Sequence, residues 1–207
     1  MKLITINSNP MGQNIYLYFD EATKEGVVID PGHNLPEILA AINENNINIK
    51  GILLTHGHYD HISAVNELKE KTNADVYCHC DEKPMLENPA INLSVHVKRE
   101  VKVTPDMLFD DGDDFEVGKL SLTIIHTPGH TPGGVCYYDE DNEVIFTGDT
   151  LFRESIGRTD LPGSDHKALN ESIKNKLLCL PANVTVYPGH GRSSGIGHEI
   201  KQNPFLR

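Results

Sequence analysis

The sequence predicts an α/β fold, and three observations carry that reading. Strand-like apolar runs alternate with helical periodicity in the order ββ, then βαβα, through the first half. The second half repeats this rhythm without obvious sequence identity. Histidine or aspartate recurs just past the ends of four apolar runs.

The short β-like runs 2–6 (KLITI), 14–20 (NIYLYFD) and 26–30 (GVVID) come first, the last two separated by the turn-like EATKE. Residues 35–45 then place Leu35, Ile38, Leu39 and Ile42 at helical spacing, with Pro36 tolerated in the first turn. A strand at 49–54 (IKGILL) leads into THGHYDH at 55–61, and a helix follows with Ile62, Val65 and Leu68 on one face. In the second half, 115–127 reads as a hairpin turning at 117–119, and 134–150 as another turning at 139–142. A helix over 164–180 is capped by Ser164 or Asp165, 183–190 is the last strand, and 195–203 a last short helix. Residues 81–109 carry no clear pattern. No linker or low-complexity block interrupts the 207 residues, so one domain over 1–207 is expected.

With 38% hydrophobic and 23% charged residues, the composition is that of a globular protein. The N-terminus lacks the apolar core of a secretory signal, and no run approaches the roughly 18 apolar residues of a membrane span, which predicts a cytoplasmic protein with no membrane partner. Thirty acidic against 18 basic side chains give a net charge of −12, which repels nucleic acid at long range. Four scattered cysteines suggest no disulfide framework. Cys78 and Cys80 flank His79, and strand alternation would put both thiols on one face, where packing is the expected role rather than metal chelation.

The four strand ends deliver His56, His58, Asp60 and His61, then His130, then Asp149, then His190. Each polar residue stands near a glycine that allows a sharp turn, and a strand anchored in a sheet makes a stiff platform for a ligand. His56 and His58 can point the same way from an extended loop, while Asp60 and His61 turn toward a neighbouring position. Seven imidazole and carboxylate donors are too many for one tetrahedral ion and suit two that share a carboxylate. The other histidines, His33, His79, His96, His126, His166 and His198, are expected to be surface or hydrogen-bonded residues. Nitrogen and oxygen donors without thiolate suit two divalent ions, zinc first, with iron or manganese as alternatives.

At T-H-x-H-x-D-H, residues 55–61, the chain resembles the metallo-β-lactamase fold superfamily. Through HTPGHTPG, FTGDTLF, GRTDLPG and VYPGHG it resembles more narrowly the glyoxalase II (hydroxyacylglutathione hydrolase) branch, from NPMGQNIYL to NPFL. The resemblance implies a four-layer αβ/βα sandwich with metals at the strand ends. It implies a first metal held by His56, His58, His130 and Asp149, and a second by Asp60, His61, His190 and the bridging Asp149, with a hydroxide between them as nucleophile. The full-length thioester hydrolases add a C-terminal helical segment that touches glutathione, so a short form without it is expected here. Arg158 stands where those enzymes carry a glutathione-binding lysine, while Asp160 replaces a nearby tyrosine, and a salt bridge between the two is the competing role for Arg158.

The expected function is hydrolysis of a small-molecule thioester such as S-lactoylglutathione, with Asp60 both ligating metal and orienting the nucleophile. Asp30 and Thr150 are expected to hydrogen-bond ligand histidines, with a turn role as the alternative for Asp30. The competing functions are a mononuclear iron persulfide dioxygenase, which an intact His190 disfavours, a lactonase, β-lactamase or RNA-processing enzyme of the same superfamily, the last disfavoured by the net charge, and a non-catalytic metal-binding module.

Overall fold

The computed structural model describes residues 1–8, 11–97 and 99–206. Asn9 and Pro10, which open the first resemblance motif, and Arg207 lie outside that set.

The first six strands are β1 (Lys2–Ser8), β2 (Gln13–Phe19), β3 (Glu25–Ile29), β4 (Asn48–Leu53), β5 (Asp75–His79) and β6 (Met107–Phe109), and they form one sheet in that order. β1, β2 and β3 pair antiparallel, and β3 to β6 run parallel. Parallel neighbours need crossovers. These are α1 (Leu35–Asn45), then the pair α2 (Tyr59–Ile62) and α3 (Val65–Thr72), then a segment holding α4 (Lys83–Leu86). The second sheet contains β7 (Asp114–Val117), β8 (Leu120–His126), β9 (Val135–Asp139), β10 (Val144–Gly148), β13 (Thr185–Pro188) and β14 (Ser194–Gly195), in the order β14-β13-β10-β9-β8-β7. β11 (Leu151–Phe152) and β12 (Ser155–Ile156) make a separate two-stranded piece, and α5 (His166–Ser172) and α6 (Ile196–Gln202) complete the elements used below.

Alternation along β2 shows how the layers assemble. Ile15, Leu17 and Phe19 pack with Ile38, Ile42, Val65 and Leu68 of the helices, while Tyr16 and Tyr18 face the opposite sheet, where they meet Leu122, Ile124, Tyr137 and Phe146. The outer face of the second sheet buries Cys136, Tyr138, Ile145 and Val186 against Leu169, Ile173, Leu177 and Ile196. The result is the expected four-layer αβ/βα sandwich, with all seven strand-end residues at one edge of the two sheets. No helix among the described residues is long and apolar enough to cross a membrane.

The structure departs from the sequence reading in four places. The helix expected after the histidine loop breaks at Ser63 and Ala64, because the Ala64 N–H bonds Pro31 O at 3.0 Å instead of continuing the helical ladder. The helix expected over 164–180 is α-helical over His166–Ser172 and widens into a π turn over Ile173–Leu177, although its cap is Asp165, one of the two expected, which accepts from Lys167 N and Ala168 N. β5 ends at His79, so Cys78 is buried in the helix-side core while Cys80 starts a 3-10 turn at the surface, and the two thiols do not share a face. β13 is not the last strand, since β14 follows it.

Phe146 packs against Tyr16, Tyr18 and Tyr187 with ring centroids 5.1, 5.3 and 5.6 Å away. Phe146→Ala is expected to lower unfolding free energy by about 3–5 kcal/mol in urea titrations.

Candidate metal centre

β4 is apolar on both faces, Ile52 toward the helices and Leu53 toward the second sheet. The chain leaves it extended through His58, then winds into α2, which carries Asp60 and His61. His130 lies in the loop after β8, Asp149 follows β10, and His190 follows β13. β10 and β13 are parallel neighbours, and Gly189 N donates to Gly148 O at 2.7 Å, so Asp149 and His190 emerge side by side. A bond of 2.8 Å from Val135 N to Thr55 O ties the two sheets together at this edge.

Two of the nearby glycines show what the close approach demands. Gly148 has φ 47°, and a Cβ there would run into the Thr55 side chain; a Cβ on Gly189 would collide with Asp149 Oδ1 and the His61 ring. At Gly189 the expected bend in the backbone is present, and the missing side chain also lets one loop pack on another.

The seven side chains converge. His56, His58 and His130 form one group, with ring centroids 4.7–4.9 Å apart and His58 Nδ1 3.0 Å from His130 Nε2. Asp60, His61 and His190 form another, with His190 Nε2 3.2 Å from Asp60 Oδ2 and 3.3 Å from His61 Nε2. Asp149 stands between them: Oδ2 lies 3.6 Å from His130 Nε2 and 3.7 Å from His190 Nε2, and Oδ1 lies 3.4 Å from His61 Nε2.

Donors around a tetrahedral ion with nitrogen bonds near 2.0–2.1 Å lie about 3.3 Å from one another. The pairs in the two groups bracket that spacing. Moreover, His56 Nε2, His58 Nε2 and Asp149 Oδ1 are buried with no hydrogen-bond partner, which is rare for polar atoms in a folded interior. The donor set fits a metal site.

Electrostatics separate the two groups. Burial, then the neighbouring imidazoles of His61 and His130, hold His56 well below the ordinary histidine range. Burial and the His130 imidazole push His58 down to about 3. Burial pulls His61 the same way, but Asp149, Asp60 and Asp30 outweigh it and raise His61 to about 10. His190 is also raised, since its bond to Asp60 and the charge of Asp149 overcome burial. Asp60 is lowered, the attraction of His61 and His190 exceeding the opposing effect of burial.

A supporting shell holds the ligand rings. Asp30 sits just past β3 with φ 49°, a left-handed conformation that aspartate tolerates better than most residues. Its Oδ1 accepts from Thr55 N at 2.7 Å; its Oδ2 accepts from Thr55 Oγ1 at 2.5 Å and lies 2.9 Å from His61 Nδ1. It therefore fills the turn and the ring-orienting roles together, leaving His61 Nε2 free to face the cluster. Thr150 does not bond a ligand histidine; its hydroxyl pairs with Thr127 at 3.1 Å. The Arg158 side chain makes a two-pronged pair with Asp160 at 2.7 and 2.8 Å, whereas its backbone carbonyl lies 2.9 Å from His130 Nδ1 and fixes that ring.

Glu82 was not singled out from sequence. Fully buried, it accepts from Gly57 N at 2.7 Å through Oε1 and from Gly133 N at 2.8 Å through Oε2, bracing the loops of His56, His58 and His130 against each other. Burial pushes its carboxyl up to about 7, against the pull of those two amides.

The sequence profile of the Metallo-beta-lactamase superfamily matches residues 8–190. The chain belongs to the metallo-β-lactamase superfamily. Within that superfamily it is 38% identical to the "Probable metallo-hydrolase YqgX" of Bacillus subtilis over 208 residues, covering 100% of this chain and 98% of that protein. It is 36% identical over 197 residues to "Hydroxyacylglutathione hydrolase GloC" of Haemophilus influenzae, covering 94% and 92%. Among solved structures it is similar to "BLEG-1 B3 metallo-beta-lactamase", with a TM-score of 0.94, 38% identity and 99% of each chain covered. "TTHA1623 in a di-iron-bound form" gives a TM-score of 0.87 with 36% identity over 98% of this chain and 100% of that one. The superfamily binds divalent metals, and its members include metallo-hydrolases of this length.

Asp30→Asn removes the carboxylate that anchors His61 and Thr55, and is expected to weaken metal binding about 10–100-fold in competition with a chromophoric chelator. The protonation pattern gives a second expectation. His56 and His58 are neutral at neutral pH and release no proton to a cation, whereas His61, raised to about 10, must release its own, and His190, raised as well, holds a proton more readily than an ordinary histidine. As pH falls from about 8 to about 6, ion binding at the Asp60, His61 and His190 group should therefore weaken more steeply than at the three-histidine group, measured as proton release during calorimetric metal titration.

Proposed function

We propose that this chain, as one domain over residues 1–207, holds two divalent cations bridged by Asp149 and hydrolyses a small-molecule hydroxyacyl thioester, with S-lactoylglutathione as the representative substrate. Zinc is the first choice of metal, iron or manganese the next. The observation that carries the reading is the placing of Asp149 within 3.4–3.7 Å of nitrogens from both ligand groups. The likeness to the hydroxyacylglutathione hydrolase of Haemophilus influenzae supports the substrate class.

His56, His58 and His130 would hold one ion, and Asp60, His61 and His190 the other. Such ions lower the pKa of bound water from about 16 toward about 7 and polarise a carbonyl, which removes the need for a serine or cysteine nucleophile. The chain's own groups set the geometry. Asp60, kept ionised by His61 and His190, is an acceptor that can orient the attacking water. Asp30 and the Arg158 carbonyl fix the rings of His61 and His130 from behind, so the donors need no rearrangement during reaction.

Two cavities of about 400 Å³ are lined by chain neighbours of the site residues. One is polar and includes Asn14, Arg153, and Gly191 and Arg192, which follow His190 in the chain; the other is lined by Asp81, Pro84, Met85, Ile91, Pro132 and Pro162, with Pro132 two residues after His130. They suit a substrate with an anionic end and an apolar end. Contact of the Arg158 guanidinium with substrate requires its exposed pair with Asp160 to open.

A second reading, β-lactam hydrolysis, is favoured by the similarity to BLEG-1. Metal-analysed protein should therefore be assayed for thiol release from S-lactoylglutathione, ring opening of lactones and β-lactams, and oxygen uptake with glutathione persulfide. Thiol release with the highest kcat/KM, and a fall of about one ion per chain in His190→Ala, is the expected result. Dominant β-lactam opening would favour the second reading; unchanged metal content in His190→Ala would overturn the ligand assignment.

A further inference from the structure

The edge that carries the seven ligands has a neighbour at the ends of β5 and β6. These strands pair in parallel with His79 opposite Phe109, so His79, Cys80 and Asp81 leave the sheet beside Asp110. Cys80 Sγ lies 3.8 Å from His79 Nδ1, 3.9 Å from Asp81 Oδ1 and 3.3 Å from Asp110 Oδ1; Asp81 Oδ2 lies 3.8 Å from His79 Nδ1. We propose that His79, Cys80, Asp81 and Asp110 form a separate, thiolate-containing cation site that takes a soft divalent ion such as zinc or cadmium.

The spacing is the first argument. Around a tetrahedral ion with a sulfur bond near 2.3 Å and nitrogen and oxygen bonds near 2.0 Å, donors sit about 3.3–3.6 Å apart, so the contacts of Cys80 with His79 and Asp81 need shifts of only a few tenths of an ångström, while Asp110, already 3.3 Å from the thiol, has to swing toward the other two.

The nitrogen donor is held in orientation by its surroundings. His79 is buried, and its ring stacks on His126 at 3.8 Å and 14°. His126 in turn is held by contact of its Nε2 with Pro132 O at 2.9 Å and by its backbone N–H bond to Asp111. His79 Nδ1 accepts from Asp81 N at 3.2 Å, which places the lone pair on the nitrogen that faces the thiol, and a cation would take it over from that N–H. This assigns a donor role to a histidine that the sequence placed among the hydrogen-bonded ones.

Charge is the third argument. Asp111 is satisfied by Lys176 at 2.7 Å, but among the described residues neither Asp81 nor Asp110 pairs with a lysine or arginine. A cation would neutralise both carboxylates and favour the thiolate in their midst. Sulfur also separates this site from the main centre, whose donors are imidazoles and carboxylates alone, so it would discriminate toward softer ions.

That difference supplies the test. Cadmium chloride is added to the metal-loaded full-length protein, and the ultraviolet cadmium–sulfur charge-transfer band is followed. About one equivalent should generate the band. It should vanish in Cys80→Ser, persist in Cys179→Ser, and require at least about tenfold more cadmium when Asp81 and Asp110 are both changed to Asn. Independently, cadmium should protect Cys80 of the unmodified protein from alkylation, read by peptide mass spectrometry, so the outcome does not rest on the variants folding. Absence of the band, its survival in Cys80→Ser, or unprotected alkylation of Cys80 would overturn the proposal. Displacement of ions from the main centre by cadmium produces no sulfur band and leaves the result readable.

Discussion

His58 Nδ1 and His130 Nε2 stand 3.0 Å apart, so at that contact one neutral ring presents its N–H to the other or both turn a lone pair to a shared cation. Crowding of this kind runs through the whole cluster, where five imidazoles and two carboxylates share a space from which much of the water is excluded. Burial opposes extra protons on His56 and His58, so these rings stay neutral and keep a lone pair for a cation. On the other half the carboxylates of Asp60 and Asp149 hold a proton on His61 and raise the proton affinity of His190. One edge of the molecule thus contains a half whose rings are held neutral and a half whose carboxylates draw protons.

The sandwich answers this constraint with rigidity. Each ligand follows a strand buried on one or both faces, and the two sheets are joined at their ligand-bearing edge by main-chain bonds such as Val135 to Thr55 and Asn14 to Gly189. Behind the rings, a carboxylate and a peptide carbonyl fix which nitrogen faces forward. Glu82 adds a brace that spans the two loops of the three-histidine group, a buried acid whose two oxygens are both used by peptide amides. Such an arrangement resists the collapse that seven mutually repelling or attracting polar groups would otherwise undergo.

Much of this was legible in the sequence because ligand and scaffold obey the same grammar: an apolar run of strand period, then a polar residue at its end. The seven residues and the long strands follow from that pattern, and Leu35–Asn45 from helical spacing. What escaped lacks a local signature. β6, β11, β12 and β14 are two or three residues long, too short for any period to show. The Arg158 carbonyl acts through the backbone, which every residue possesses, and the Arg158 side chain drew notice for a different reason. Glu82 is 25 residues from Gly57 and 51 from Gly133, and only the folded chain shows that its carboxylate lies between them. The helix break at Ala64 likewise has a distant cause, the Pro31 carbonyl.

The spread of ligands along the chain sets an order on assembly during synthesis. His56, His58 and His130 have all been made well before the ribosome reaches His190, while β13, just ahead of His190, pairs with β10 and is among the last strands added. A nascent chain can therefore complete its three-histidine pocket before its second pocket exists. Asp149 arrives between the two events, so the carboxylate that links the halves is in place before the final histidine closes the set.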